Sequence, residues 1–236
     1  MRALLLAAGL GTRLRPLTDQ VPKCLVTIGG RPLLSYWLDA LLADRRVDRV
    51  LINTHYLPEQ VRGFVSQSRW AERIDLVHET ELLGTGGTIL ANRAYFGDGP
   101  LFVAHADNLT DASMATLLDA HFAAGPDILA TLLAFRTQTP STCGILELDG
   151  AGRVVGFHEK VANPPGNLAS GAVYMFAPAV VDRIAARGHR FVDLSTEIIP
   201  GLLGQMLAVE HKGFFMDIGT PRALEQARME FRAPSG

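Results

Sequence analysis

Two glycines and then three cations follow the first apolar run of the chain: Gly9-Leu10-Gly11-Thr12-Arg13-Leu14-Arg15, and soon after, Lys23. The run before them, Ala3–Ala8, reads as a buried strand, so the glycines stand where a strand ends and a helix is expected to begin. Backbone N–H groups at such a junction point outward and, with the helix dipole, favour an anion. Glycine also lets a phosphate come close to the backbone. Two common phosphate loops do not fit. A dinucleotide turn needs a third glycine, where this chain has Leu14, and an acid about 20 residues further on. Nothing matches G-x-x-x-x-G-K-[ST] either. Arg13 offers a forked donor and Lys23 a mobile point charge, and together they suit a triphosphate better than loop amides alone would.

Carboxylates come next. Asp107 lies just past the strand Leu101–His105, at the carboxyl end where open α/β sheets put ligands. There it can hold Mg²⁺, which takes one or two carboxylates plus phosphate oxygens, or it can cap the next helix, a role that Asp111 fits better. Asp217 follows the apolar run Gly213–Met216 and is either a ligand or a second cap. Thr220 and Pro221 open the last helix behind it. Gly84-Thr85-Gly86-Gly87 is too rich in glycine for a helix start set by propensity. It reads as a close backbone approach to a flat base, or as a flexible turn. Glu159-Lys160 closes the strand Val154–His158. His55, His78, His105 and His158 have no metal or relay spacing and read as structural, and no G-x-S-x-G elbow supports a hydrolase.

Taken in order, Gly9–Leu14 with Pro22-Lys23-Cys24-Leu25 resembles the signature GxGTRL…PKPL of the sugar-1-phosphate nucleotidyltransferases. Leu83–Gly87, Ala106-Asp107-Asn108, Glu159-Lys160, Ser170-Gly171 and Asp217–Thr220 fall at the family's later stations, so the resemblance covers roughly residues 2–230. It implies a mononucleotide-binding, Rossmann-like fold with a small sugar-binding insertion, and joining of a nucleoside triphosphate to a sugar 1-phosphate. Arg13, Lys23 and Asp107 become the catalytic residues, and Asp107 with Asp217 the Mg²⁺ ligands. The nucleotide set is Leu6, Ala8, Gly9, Gly11, Thr12, Arg13, Lys23, Gly84, Thr85 and Gly86, with Glu79 at the base-reading position. Asn108, Gly144, Glu159, Lys160, Ser170 and Gly171 become the sugar-phosphate set. Ala106 and Ser170 depart mildly from the family pattern, and Cys143 replaces a frequent tyrosine. Within the family the chain is most similar to guanylyltransferases of manno-configured sugars, heptose or mannose. Uridylyl transfer to N-acetylmuramate 1-phosphate and thymidylyl or uridylyl transfer to glucose 1-phosphate are the alternatives. An NAD(P) oxidoreductase or a silent nucleotide-binding regulator would be a different class.

The elements that must position these residues alternate. Strands are expected at Arg49–Asn53, Ile74–His78 and Asp127–Phe135. Helices are expected at Arg31–Leu42, from Pro58 through Val65, at Thr88–Arg93 and at Asp111–Ala123. That order predicts an α/β fold with a mostly parallel sheet. Short strands at Ile145–Leu148, Val154–His158 and Ala172–Phe176 predict an antiparallel insertion over about 140–176. Helices Pro178–Ala186 and Thr220–Phe231 follow. The 236 residues are read as a single domain, and no C-terminal β-helix is expected after Phe231. A net charge of −2 gives no sign of a nucleic-acid or membrane partner. The two cysteines, Cys24 and Cys143, argue against a disulfide framework. No apolar run reaches the roughly 18 residues of a membrane span. A cytoplasmic enzyme is expected, with a homodimer left open.

Overall fold

The computed structural model describes residues 1–232. In chain order it forms β1 (Arg2–Leu6), the short β2 (Thr27–Ile28) and β3 (Arg31–Pro32), α1 (Leu33–Leu42), β4 (Arg49–Thr54), α2 (Pro58–Ser66) and β5 (Ile74–His78). Then come α3 (Gly84–Ala91), α4 (Arg93–Phe96), β6 (Leu101–His105), β7 (Asn108–Thr110), α5 (Met114–Ala123), β8 (Ala130–Arg136), β9 (Gly144–Leu148) and β10 (Val154–Glu159). β11 (Leu168–Phe176), α6 (Pro178–Ala185), β12 (Met206–His211), β13 (Phe215–Asp217) and α7 (Pro221–Glu230) complete it. The chain divides into two compact units, and β6 passes from one to the other. The first holds Met1–Leu82, Ala104–Ser113 and the chain from Gly213; the second holds Leu83–Val103 and Met114–Lys212.

In the first unit β1, β4 and β5 run parallel, with Leu6 beside Asn53 and Asn53 beside Val77. α1 and α2 are the crossovers that parallel pairing demands. Val50 to Thr54 of β4 are all buried, as expected of a strand covered on both faces. The expected helix after the glycines does not form. Thr12–Leu14, Leu17–Asp19 and Lys23–Leu25 are isolated 3₁₀ turns instead. Pro16 and Pro22 have no N–H and would break an i→i−4 ladder. Further along, β7 and β13 pair antiparallel, with Asp217 opposite Asn108. Asp111 lies three residues before α5, which starts at Met114; its Oδ1 accepts the N–H of Phe214 at 2.7 Å and fixes the entry to β13. Leu14, Leu109, Ile218, Leu224 and Phe231 share one buried cluster beneath these turns.

In the second unit β8, β9, β10 and β11 are antiparallel neighbours, and β12, which the sequence pattern did not suggest, lies parallel to β8. The antiparallel strands expected over 140–176 are therefore part of a larger unit. The glycine run holds the main surprise. α3 starts at Gly84, so the glycines form its first turn. The segment Arg190–Val192 lies against them: Gly86 and Gly87 donate to the Val192 carbonyl at 2.8 and 3.2 Å, and Val192 donates back to Leu83 at 3.0 Å. A Cβ on Gly87 would stand 2.3 Å from the Arg190 carbonyl oxygen, and one on Gly84 2.6 Å from that of Val192.

Gly87→Ala tests that packing. Alanine favours a helix by up to about 1 kcal/mol over glycine, while overpacking against backbone costs roughly 1–3 kcal/mol. The contact is tight enough for overpacking to win, so a thermal melt should show a lower Tm. An equal or higher Tm would remove the close-packing account.

Candidate functional site

The 3₁₀ turn at Thr12–Leu14 follows Gly11, whose φ of 64° is left-handed. Thr18 locks that turn from the side: it is buried, and its hydroxyl donates to the Gly11 carbonyl at 2.7 Å. A Cβ on Gly11 would stand 3.0 Å from the Thr18 methyl, so both φ and space call for glycine here. Gly9, Thr12 and Arg13 are exposed, while Leu14 is buried. The loop thus shows Gly9 and Arg13 to solvent and is anchored through its leucine.

Lys23 opens the third 3₁₀ turn, with Cys24 buried behind it. Its side chain is only 10% exposed, and Nζ donates to Asp107 Oδ2 and, at 3.1 Å, to Asp217 Oδ1. Arg13 Nη2 lies 3.6 Å from the other oxygen of Asp217. The meeting of two aspartates so distant in sequence follows from the β7–β13 pairing, reinforced by the Ile218 N–H donating to the Asp107 carbonyl at 3.1 Å. Burial pushes the Asp107 carboxyl up, but the charges of Lys23 and His105 and the hydrogen bonds it accepts outweigh that and hold it below the usual range. Cys24, pushed up to about 12 by burial and the neighbouring Asp107, is an inert thiol.

Two carboxylates that reach one ammonium also suit a small hard cation. Among the described residues no group of three or more His, Cys, Asp or Glu side chains could hold a metal. A cation here would therefore take Asp107 and Asp217 and complete its shell with phosphate oxygens and water, a donor set that fits Mg²⁺.

Glu79 follows β5 and is 5% exposed; its Oε1 accepts from the Asn53 side chain at 2.9 Å. Leu6 ends β1, its carbonyl accepting from Ala106 at 3.0 Å, and Ala8 is buried. Asn108 is buried and its carbonyl accepts the Trp37 indole N–H at 2.8 Å. All these residues belong to the first unit.

The other expected residues lie on the second unit. Gly84, Thr85 and Gly86 form the start of α3, where the Thr85 hydroxyl accepts from the Leu194 N–H at 2.8 Å. The run is thus a packed helix start, not a flexible turn. Gly144 opens β9 opposite Glu159, whose carboxylate pairs with Lys160 at 2.9 Å. Lys160 has a φ of 50° and a mostly exposed side chain. Ser170 and Gly171 sit where the β11–β8 register shifts, and Ser170 lies 3.3 Å from the Tyr174 hydroxyl. Burial pushes Tyr174 up to about 12, with Ser170 opposing and the charges of Glu159 and Asp193 adding to it.

Thr18, Asn53 and Tyr174 were not anticipated. Nothing local marks a threonine that packs on a glycine or an asparagine at a strand end. A cleft of about 900 Å³, lined by Tyr36, Asp39, Trp70 and Asp111 among others, includes none of the expected residues. Among the described residues no helix is long and apolar enough to cross a membrane.

Comparison with known proteins gives this geometry its context. The nucleotidyl transferase family model matches residues 2–233. The chain belongs to that family. It is 33% identical over 229 residues to the mannose-1-phosphate guanylyltransferase catalytic subunit beta of Xenopus tropicalis, and 33% over 230 residues to mannose-1-phosphate guanylyltransferase 1 of Arabidopsis thaliana. Each match covers 94% of this chain and 62% of the relative, so the chain spans less than two thirds of their length. In fold it is similar to a Bacillus anthracis structure assigned as a glucose-1-phosphate thymidylyltransferase, with TM-score 0.86 at 18% identity, covering 100% of this chain and 98% of that one. HddC from Yersinia pseudotuberculosis, solved with GMP-PN, has TM-score 0.77 at 24% identity, covering 98% and 99%.

The ion pair makes a pH-dependent prediction. A depressed carboxyl contributes stability that is present above its unfolded value, about 3.9, and is lost as pH falls through the folded value. Lys23→Met keeps the burial and removes the nearest opposing charge. The Asp107 carboxyl, followed by ¹³C NMR, should titrate higher than in the wild type. The gain in unfolding free energy between about pH 3 and pH 6 should shrink accordingly. An unmoved Asp107 titration would dissolve the pairing.

Proposed function

We propose that this chain joins a nucleoside triphosphate, GTP in preference, to a manno-configured sugar 1-phosphate, releasing pyrophosphate. The reading is carried by the convergence of Lys23, Asp107, Asp217 and Arg13 beside an exposed glycine loop, in a chain of the nucleotidyl transferase family. Relatives named mannose-1-phosphate guanylyltransferases support guanine and mannose. A carboxylate such as Glu79 accepts well from the N1–H and amino group of guanine. Heptose is the second candidate, since it differs from mannose by one hydroxymethylene carbon and Cys143 leaves room where tyrosine is common in the family.

A sugar phosphate is largely dianionic at neutral pH, its second pKa being about 6. The attacking oxygen therefore needs no general base, in keeping with a set of site residues that contains no histidine. What remains is in-line positioning and neutralisation of charge on the phosphates. Arg13 and Lys23 supply that charge when they exchange their aspartate partners for phosphate oxygens. Asp107 and Asp217 would hold Mg²⁺, which when bound adds positive charge to the phosphates and orients them. Glu159 would accept from sugar hydroxyls, and Lys160 would bind the sugar phosphate. Both substrates are charged phosphate esters, which fits a cytoplasmic enzyme.

Pyrophosphate release, measured for four triphosphates against the 1-phosphates of mannose, heptose, glucose and N-acetylmuramate, should give the highest kcat/KM for GTP with mannose or heptose. A preference for UTP or dTTP would overturn the guanine assignment, and one for glucose 1-phosphate the manno assignment. No turnover in any combination would end the transferase reading.

Two kinds of substitution test the machinery. Arg13→Ala and Lys23→Ala should each lower kcat/KM by about 10²-fold or more, the usual loss when a charged donor to developing negative charge is removed. Asp107→Asn should abolish turnover while keeping the fold, and chelation of the wild type should do the same until Mg²⁺ is restored. Full activity of Asp107→Asn would sink the metal assignment.

A further inference from the structure

Asn53 is the last residue of β4 to pair with β1, and it is 3% exposed. Ala7, one residue past β1 and two before Gly9, donates its N–H to Asn53 Oδ1 at 2.7 Å. The other end of the same amide donates to Glu79 Oε1 at 2.9 Å. The amide has only one consistent orientation, because a backbone N–H must meet an acceptor and a carboxylate must meet a donor. Glu79 is held from its backbone as well: its N–H donates to the Thr54 carbonyl at 2.8 Å, and its carbonyl lies 2.7 Å from His55 Nδ1. One buried side chain thus joins the departure of the glycine loop from β1 to the acid that follows β5.

We infer that Asn53 is a positioning residue for the nucleotide, tying Glu79 to the start of the glycine loop so that base and phosphates meet prearranged partners. The inference rests on the nucleotidyl-transfer reading above. Asparagine suits the position because it accepts on one side and donates on the other. Aspartate would still accept from Ala7, yet it would set a second carboxylate against Glu79 in a dehydrated place, where like charges repel and an unmet acceptor is costly. Alanine would leave both the Ala7 N–H and Glu79 without this partner. Displacement of either end moves a group assigned to the triphosphate, while Glu159 and Lys160 of the sugar-phosphate set are untouched. The effect should therefore fall on the nucleotide and spare the sugar phosphate.

The test pairs steady-state kinetics with equilibrium binding of a fluorescent GTP analogue to the full chain. Asn53→Asp should raise both the KM for GTP and the Kd of the analogue by roughly tenfold or more, with the sugar-phosphate KM unchanged. In the double variant Asn53→Asp with Glu79→Gln, the introduced carboxylate can accept from both the Ala7 N–H and the introduced amide. Its Kd should return to that of Glu79→Gln alone, while the preference for GTP over other triphosphates stays as weak as in that single variant. Asn53→Ala adds no charge and serves the same comparison should Asn53→Asp fail to fold. The inference is overturned by a wild-type Kd in both Asn53 variants, by a double variant no better than Asn53→Asp, or by equal rises in both KM values. The functional reading fails separately. Tight analogue binding by the wild type, with the Asn53 pattern present but no transfer to any sugar 1-phosphate, would keep the inference and end the transferase. A wild type that does not bind the analogue would end both.

Discussion

Two aspartates held close together repel each other unless a positive charge stands between them, and in this chain Lys23 is that charge. The β7–β13 ladder brings Asp107 and Asp217 to one place, and burial of Asp107 penalises its ionised form. With Lys23 against both and Arg13 beside Asp217, two negative charges face two positive ones. The pairs are not equivalent. Arg13 and Asp217 are more than half exposed, so their contact adds little to stability. Lys23 is almost enclosed, and the loss of its ammonium would leave a carboxylate short of its partner in a poorly hydrated spot.

Precision in this cluster comes from its neighbours in sequence. Each group is next to a buried residue: Arg13 to Leu14, Lys23 to Cys24, Asp107 to Ala106 with Leu109 two residues on, Asp217 to Ile218. Leu14, Leu109 and Ile218 pack in the same cluster, so the segments that carry the charges are fastened to a common floor. Charged tips can then exchange partners while the backbone stays in place. That is what catalysis by positioning and electrostatics requires.

The sequence is most legible where chemistry and local structure coincide. Gly9, Gly11, Arg13 and Lys23 form a short ordered pattern, Asp107 ends a strand with a clear apolar run, and Thr220 caps α7 as its position before Pro221 suggests. Legibility fails where the deciding partner is distant. The glycines at Gly84–Gly87 read as a close approach to a base or as a flexible turn, and what excludes the flexible turn, the backbone of Arg190–Val192, lies far along the chain. Asp111 reads as a helix cap by position, and nothing local announces that it also accepts the N–H of Phe214, far along the chain. The helix expected after Gly11 is excluded by Pro16 and Pro22, whose effect the loop pattern conceals.

The same division bears on how the loop would serve the proposed reaction without a helix behind it. Phosphate sites at helix starts draw on a dipole and several aligned N–H groups. Here a 3₁₀ turn of three residues follows Gly11, so little macrodipole is available. Fixed cations must carry more of the electrostatic load, and the turn must be held still by other means. Thr18 restrains it from one side through the Gly11 carbonyl, and Asn53 restrains its approach through Ala7. In the proposed reaction Arg13 and Lys23 would be the counterpart of the missing dipole. The two uncharged residues, Thr18 and Asn53, hold the loop at Gly11 and at Ala7.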